Sequence, residues 1–192
     1  MFEKLLEWDR NSFIFLNNLG IEGYDLFWSL ITNFSTWIPL FVLFLVLIFK
    51  NYPKKEALSM LITIIGTVIL IAMVTGVVKE LIARLRPADN DEIKSLIRVL
   101  VDPYGFSFFS GHAASSFGIT TIVYLFLKEK INWGLFFYIW PFLFVFSRIY
   151  VGVHYPLDLI VGAMVGILFA VFSYRLYKGL KNPAQGKAIS DR

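Results

Sequence analysis

From residue 57 to residue 78 the chain carries no charged side chain. That run is as long as the roughly 20 apolar residues an α-helix needs to cross the hydrocarbon of a bilayer. A spanning segment must satisfy its own backbone hydrogen bonds, which in an open chain means a helix. Four further apolar stretches, about 37–49, 111–127, 133–150 and 156–174, are read the same way. With 57% hydrophobic and 17% charged residues in a chain of 192, five such spans leave little room for a separate soluble domain. The expected fold is all-α: an integral membrane helical bundle of about five transmembrane helices, preceded by an N-terminal interfacial helix. Residues 1–180 are expected to form one membrane domain, and 181–192 a flexible cytoplasmic tail.

The segments between the spans complete this outline. Residues 1–20 hold Glu3, Lys4, Glu7, Asp9 and Arg10, too many charges for a span or a signal peptide. Phe2, Leu5, Leu6, Phe13, Leu16 and Leu19 fall roughly on one helical face, which suits a helix lying in the interface. Residues 21–37 mix Asp25, Thr32, Asn33 and Ser35 with aromatics and read as a half-buried entry to the first span. The second span is expected to run on past Lys79 towards Leu85, where Pro87 stops it. Within 88–109, Leu96, Ile97, Val99 and Leu100 form an apolar patch expected on the interface. The chain has no internal repeat.

Composition also excludes several chemistries. The absence of cysteine removes disulfides, thiolate nucleophiles and cysteine-ligated metal. Two histidines, His112 and His154, are too few for a multi-histidine metal site, so neither metal nor cofactor is expected. The net charge of +4 comes from loop lysines, and no basic surface for nucleic acid is visible. Lys50, Lys54, Lys55, Lys128, Lys130, Arg175, Lys178, Lys181, Lys187 and Arg192 gather on one side of the bundle. The positive-inside rule makes that side cytoplasmic, so the remaining polar segments face outwards.

Three polar islands sit at the outer ends of the apolar runs. The first, 79–87, reads K-E-L-I-A-R-L-R-P. If the helix continues through it, Lys79 and Arg86 are nearly two turns apart and share a face, with Arg84 turned away into an interfacial role. Two such cations suit an anionic head group, though taken alone they read first as cations snorkelling at a helix end. The second, 106–116, places Ser110 as N-cap and Gly111 at the start of a helix, with His112 in its first turn. Backbone N–H groups there, with the positive helix end, make an anion site. A lone His112 would otherwise be a structural interfacial histidine. The third, 147–158, holds Arg148, His154 and Asp158. Pro156 fits the first helical position, and Asp158 can reach back to an imidazole N–H of His154, fixing the tautomer. Ionisable residues at membrane depth usually mark function, which favours this reading over a simple helix cap.

The combination K-x6-R-P (Lys79 to Pro87), S-G-H (Ser110 to His112) and S-R-x5-H-x3-D (Ser147 to Asp158) resembles the type 2 phosphatidic acid phosphatase superfamily, particularly its small bacterial membrane members. The resemblance implies a metal-independent phosphatase working through a phosphohistidine, in the bacterial cytoplasmic membrane. His154 would attack phosphorus, Asp158 orient it, and His112 protonate the leaving oxygen and then help activate water. Lys79, Arg86, Ser110, Gly111 and Arg148 would hold the phosphoryl oxygens. Where the family usually carries proline before S-G-H, this chain has Phe109, which leaves the turn without that ring's stiffening.

A lipid phosphate or diphosphate is the expected substrate, and the bilayer the expected surroundings. An outward site suits undecaprenyl diphosphate, which ranks first among the expected lipids. Lipid A 1-phosphate, phosphatidylglycerophosphate and phosphatidate are the alternatives, because the motifs grip phosphate and not the tail. A non-catalytic lipid-binding or transport protein is the reading from another class, and phosphotransfer to a second lipid a further enzymatic one. The sequence sets no oligomeric state.

Overall fold

A computed structural model describes residues 1–102 and 104–181. Among the described residues every regular element is a helix. Seven α-helices follow in order: α1 Phe2–Asn18, α2 Asp25–Ile31, α3 Ile38–Asn51, α4 Lys54–Ile82, α5 Gly111–Leu127, α6 Ile139–Tyr150 and α7 Pro156–Lys181. Short 3₁₀ turns extend α3 and α6 at their N-termini, Phe34–Trp37 and Gly134–Tyr138. Three segments are long and apolar enough to cross a membrane, and the apolar helices Gly111–Leu127 and Gly134–Tyr150 are shorter. At 17 residues, α5 still reaches the lower end of the spanning range.

Helix α4 shows why the bundle belongs in lipid. Its inward stripe is Met60, Thr67, Ile71 and Thr75, while Ile62, Ile65, Ile69, Met73 and Val77 stand exposed on the opposite face. An outward stripe of large apolar side chains is stable only where the surrounding solvent is hydrocarbon.

The centre of the bundle is the pair α5 and α7, which make the most extensive contact in the molecule. Their approach is set by small residues. A Cβ added at Gly166 would lie 2.1 Å from the Ala114 carbonyl oxygen, and one at Gly162 would lie 2.5 Å from the Ser110 carbonyl oxygen. Membrane helices gain little from apolar association as such, so close backbone packing of this kind is a main source of their cohesion. Towards the other end, aromatic side chains fill the space between helices: Phe44, Phe137 and Trp140 form one buried cluster with Ile122 and Phe126.

Two expectations need correcting. Helix α4 ends at Ile82, not near Leu85, and the residue after it, Ala83, adopts a left-handed conformation with φ 48°. The stop is made by tertiary contacts: Ser107 donates its N–H to the Arg84 carbonyl at 2.8 Å, and its hydroxyl reaches the carbonyls of Arg84 and Leu85. Arg86, preceding Pro87, is extended, as a residue in that position prefers. Helix α7, by contrast, continues past Tyr174 to Lys181, which pairs with Glu56 at the base of α4. Residues 182–192, most of the expected flexible tail, lie outside the described residues.

The N-terminal helix also departs from its expected pattern. Leu5, Leu6 and Leu19 are exposed, with Trp8 and Phe15, while the buried face is Asp9, Phe13 and Asn17. Asn17 Nδ2 donates to the carbonyls of Arg98, Ile149 and Tyr150, and its Oδ1 accepts the Arg98 N–H at 2.7 Å. Thus α1 docks on the bundle through Asp9 and Asn17 on either side of the buried Phe13, and turns Leu5, Leu6, Trp8, Phe15 and Leu19 outwards. Of the patch in 88–109, Leu96 and Val99 are exposed, whereas Ile97 and Leu100 pack against buried residues.

Candidate active site

The loop between α6 and α7 carries His154. It can lie against residues 98–100 because Gly152 takes φ +87°, and a Cβ there would lie 2.5 Å from the Arg98 carbonyl oxygen. Pro156 then opens α7 and puts Asp158 in its first turn. The Asp158 carboxylate, completely buried, is fully engaged. Oδ2 accepts the Tyr155 N–H at 3.0 Å and lies 3.3 Å from His154 Nδ1, and Oδ1 accepts from Arg84 Nη1 at 2.7 Å.

On its other side, His154 Nε2 lies 3.3 Å from Arg86 Nη1. Arg86 is itself locked, with Nε donating to the Gly105 carbonyl at 2.7 Å and its terminal nitrogens to those of Tyr104 and Val153. A guanidinium only donates, so Nε2 must present a lone pair to it, while the carboxylate takes the proton of Nδ1. Two opposed neighbours therefore select one tautomer. Burial, followed by the charges of Arg148, Arg86 and Lys79, holds the imidazole pKa well below its usual 6.5. That environment favours the uncharged ring, whose Nε2 lone pair becomes available to an electrophile that displaces the Arg86 contact.

The other expected residues collect around it. Lys79 Nζ donates to the Phe106 carbonyl at 2.6 Å. Arg148, deeply buried on α6, gives Nη1 to Thr32 Oγ1 at 2.6 Å, and its Nε has no partner among the described residues. His112 rests between Phe34 and Phe144, with ring centroids at 5.3 and 5.4 Å, within reach of the charges of Arg148, Lys79 and Arg86. Ser110 caps α5 by accepting the Ala113 N–H, and its own N–H donates to the Asp158 carbonyl at 2.9 Å. That bond ties the N-terminus of α5, with Gly111, to the first turn of α7. Phe109 is buried against Ile71 and Ala114, so packing anchors the turn in place of a proline ring.

The first island converges for a different reason from the one expected. Lys79 is helical and Arg86 is not, so they meet because the chain bends back after Ile82, and not because they share a helical face. Arg84 is the larger revision. Expected to be interfacial, it instead bridges Asp158 and Asp9, with Nη2 2.6 Å from Asp9 Oδ2 and its guanidinium 4.0 Å over the Tyr155 ring. Asp9 and Thr32 are the site neighbours that sequence reasoning missed. The spacing Asp9, Phe13, Asn17 does mark one helical face, and that face is the buried one.

The arrangement brings three cations and the N-terminus of a helix around a buried, oriented imidazole. It can stabilise a trigonal-bipyramidal phosphorus by charge and position alone.

Comparison with known proteins agrees. The family model described as the PAP2 superfamily matches residues 56–181. A lipid A 4'-phosphatase of Bacteroides thetaiotaomicron is 31% identical over 97% of this chain and 87% of its own length. An undecaprenyl-diphosphatase of Sulfolobus acidocaldarius is 34% identical over 81% of this chain and 70% of its own. The fold matches the crystal structure of a transmembrane PAP2-type phosphatidylglycerolphosphate phosphatase from Bacillus subtilis, with a TM-score of 0.69, 22% identity, and 94% of this chain and 87% of the other covered. The chain belongs to the PAP2 superfamily and is an integral membrane, metal-independent lipid phosphatase.

Proposed function

We propose that the protein removes phosphate from the head group of a membrane lipid at the outer face of a bacterial cytoplasmic membrane, through a phosphohistidine on His154. The observation that carries this reading is the His154 ring held between Asp158 and Arg86, with its Nε2 lone pair among cations. Nε2 attacks phosphorus while the bond from phosphorus to the lipid oxygen breaks, and His112 gives that oxygen a proton. Asp158 stabilises the positive charge that develops on the ring. Water then attacks the phosphorus of phosphohistidine and passes its proton to His112. The P–N bond breaks, inorganic phosphate leaves, and His154 is restored. Lys79, Arg86, Arg148 and the first turn of α5 hold the equatorial oxygens throughout.

Among lipids, the 4'-phosphate of lipid A now ranks ahead of undecaprenyl diphosphate. The lipid A 4'-phosphatase matches 97% of the chain, against 81% for the undecaprenyl-diphosphatase. The greater span includes α1, which packs against the site. Undecaprenyl diphosphate stays as the second reading, supported by the 34% identity. The test is phosphate release by purified protein in detergent from lipid A, undecaprenyl diphosphate, phosphatidylglycerophosphate and phosphatidate, with the His154→Ala variant alongside. Lipid A should be turned over fastest, with loss of its 4'-phosphate. A clear preference for undecaprenyl diphosphate would reverse the ranking, and substantial turnover by His154→Ala would remove the scheme.

A further inference from the structure

The relay does not end at Asp158. Its second oxygen is held by Arg84, and Arg84 in turn is held by a carboxylate from the other end of the chain. Asp9 lies on α1 and is completely buried, which is unusual for a charge on a helix whose outer face points to lipid. Each of its oxygens has a distinct partner. Oδ2 takes Arg84 Nη2 at 2.6 Å, and Oδ1 takes the Leu157 N–H at 2.8 Å, in the first turn of α7 next to Asp158 itself. One carboxylate therefore grips both the cation that orients Asp158 and the backbone that carries it. Burial pushes the Asp9 pKa upwards, while Arg84 and the Leu157 N–H oppose that shift. The guanidinium is flanked by the Tyr155 ring, which meets Phe13 of α1 edge-on at 5.4 Å. Helix α1 thus supports the relay twice, by a charge and by an aromatic contact.

A fully buried carboxylate needs partners on both oxygens whatever its role, and here both partners, Arg84 and the Leu157 N–H, belong to the surroundings of Asp158. That placement gives it a second task, beyond fastening α1. With two carboxylates on one guanidinium, Arg84 cannot swing towards solvent or tilt to take both Asp158 oxygens. Asp158 Oδ2 is thereby kept for His154 Nδ1 and the Tyr155 N–H.

We propose that Asp9 is a positioning residue for the reaction: through Arg84 and the first turn of α7 it fixes the Asp158 carboxylate, and with it the tautomer and aim of His154. The N-terminal helix is then a working wall of the site, beyond any role as an interfacial anchor. This inference rests on the phosphohistidine scheme above.

The chain has only two histidines, which makes the test direct. Full-length protein, labelled with ¹⁵N-histidine and purified in detergent, gives two ring systems, and the His112→Ala variant assigns them. In the unmodified protein the His154 ring should show a protonated Nδ1 and a bare Nε2. Asp9→Asn keeps the shape and one acceptor but removes the charge. It should bring a second tautomer into the His154 spectrum and lower kcat on a short-chain lipid phosphate about ten- to hundredfold, with KM changed far less, as expected for misaimed reacting groups. Arg84→Lys, which reaches the relay from its other side and keeps the cation, should disturb the same tautomer and covers the case in which Asp9→Asn does not fold. An unchanged His154 tautomer in the folded variants would overturn the proposal, even if their melting temperature fell, because Asp9 would then be structural only. Activity surviving in His154→Ala would instead refute the underlying scheme, whatever Asp9→Asn does.

Discussion

Replacing Gly166 by alanine should damage catalysis although the residue lies more than two helical turns from Asp158. The new Cβ would sit 2.1 Å from the Ala114 carbonyl oxygen, 2.9 Å from its carbonyl carbon and 3.0 Å from its Cα. All three are backbone atoms, so no side chain can rotate to make room. Reaching even a tight 3.0 Å contact with the oxygen requires α5 and α7 to part by about 1 Å, well short of the optimal separation for non-bonded atoms. Overpacking of this kind typically costs about 1–3 kcal/mol. The displacement has a second cost, because α5 presents His112 and α7 presents Asp158. The Ser110 to Asp158 hydrogen bond, at 2.9 Å, joins the two helices at that end. A misplacement of about 1 Å between reacting groups lowers turnover on the order of a hundredfold. The assay is phosphate release from a short-chain lipid phosphate in detergent, with thermal unfolding of the same samples. The control is Gly76→Ala, where the added Cβ has nothing within 4 Å. That change should leave kcat intact and, by removing backbone freedom, stabilise by up to about 1 kcal/mol. Wild-type kcat and melting temperature in Gly166→Ala would refute the claim that close helix packing sets the spacing of His112 and Asp158.

Further outcomes are expected from the site itself. Because burial and its cationic neighbours hold His154 uncharged well below pH 6.5, kcat/KM should stay level as the pH falls through 6.5 and decline only in more acidic solution; a decline centred at 6.5 would show an unperturbed imidazole. The same depressed pKa has a stability consequence: the folded state keeps the ring neutral, so unfolding, which lets it protonate, should become easier below the unfolded value of about 6.5. Melting temperature recorded against pH checks this. Arg148→Met should raise KM for the lipid phosphate more than it lowers melting temperature, since the change gives up one hydrogen bond, from Nη1 to Thr32, and removes a buried Nε that has no partner among the described residues; equal KM would remove Arg148 from the phosphate's surroundings. Activity should be unaffected by EDTA, and a loss reversed by added metal would contradict the scheme. A reporter fused after Arg192 should be cytoplasmic, and an exterior signal would invert the proposed orientation.

The residues of the site were legible because they are anomalous: Lys79, Arg86, Arg148, His154 and Asp158 interrupt apolar runs, where charge is tolerated only for a reason. The spacing of Pro156 and Asp158 also gave the His154 contact correctly, since a helical first turn is a local structure. What stayed hidden depends on segments far apart in the chain. The end of α4 is decided by Ser107, 24 residues beyond Ala83, so no helix-stop signal near Leu85 could reveal it. Arg84 was assigned outwards on the assumption of a continuing helix, and its turn inwards follows from that stop. Asp9 looked like one of several surface charges because its partners lie at 84 and 157. The α5–α7 contact was different. Gly162, Gly166 and Ala170 recur every fourth residue, a spacing that announces close helix packing in membranes and could have been read.

Helix α1 carries a practical lesson for anyone handling the protein. Its first described turn lies only a few residues from Asp9, and its hydrophobic outer face must settle into lipid or detergent for the helix to seat. An affinity handle or fluorescent fusion placed just ahead of α1 would therefore pull on Asp9 and, through Arg84, on the groups behind His154. One attached beyond α7 hangs from the far end of the bundle, where Lys181 meets Glu56. Preparations made the first way would look well folded and yet be slow, and the slowness would belong to the handle.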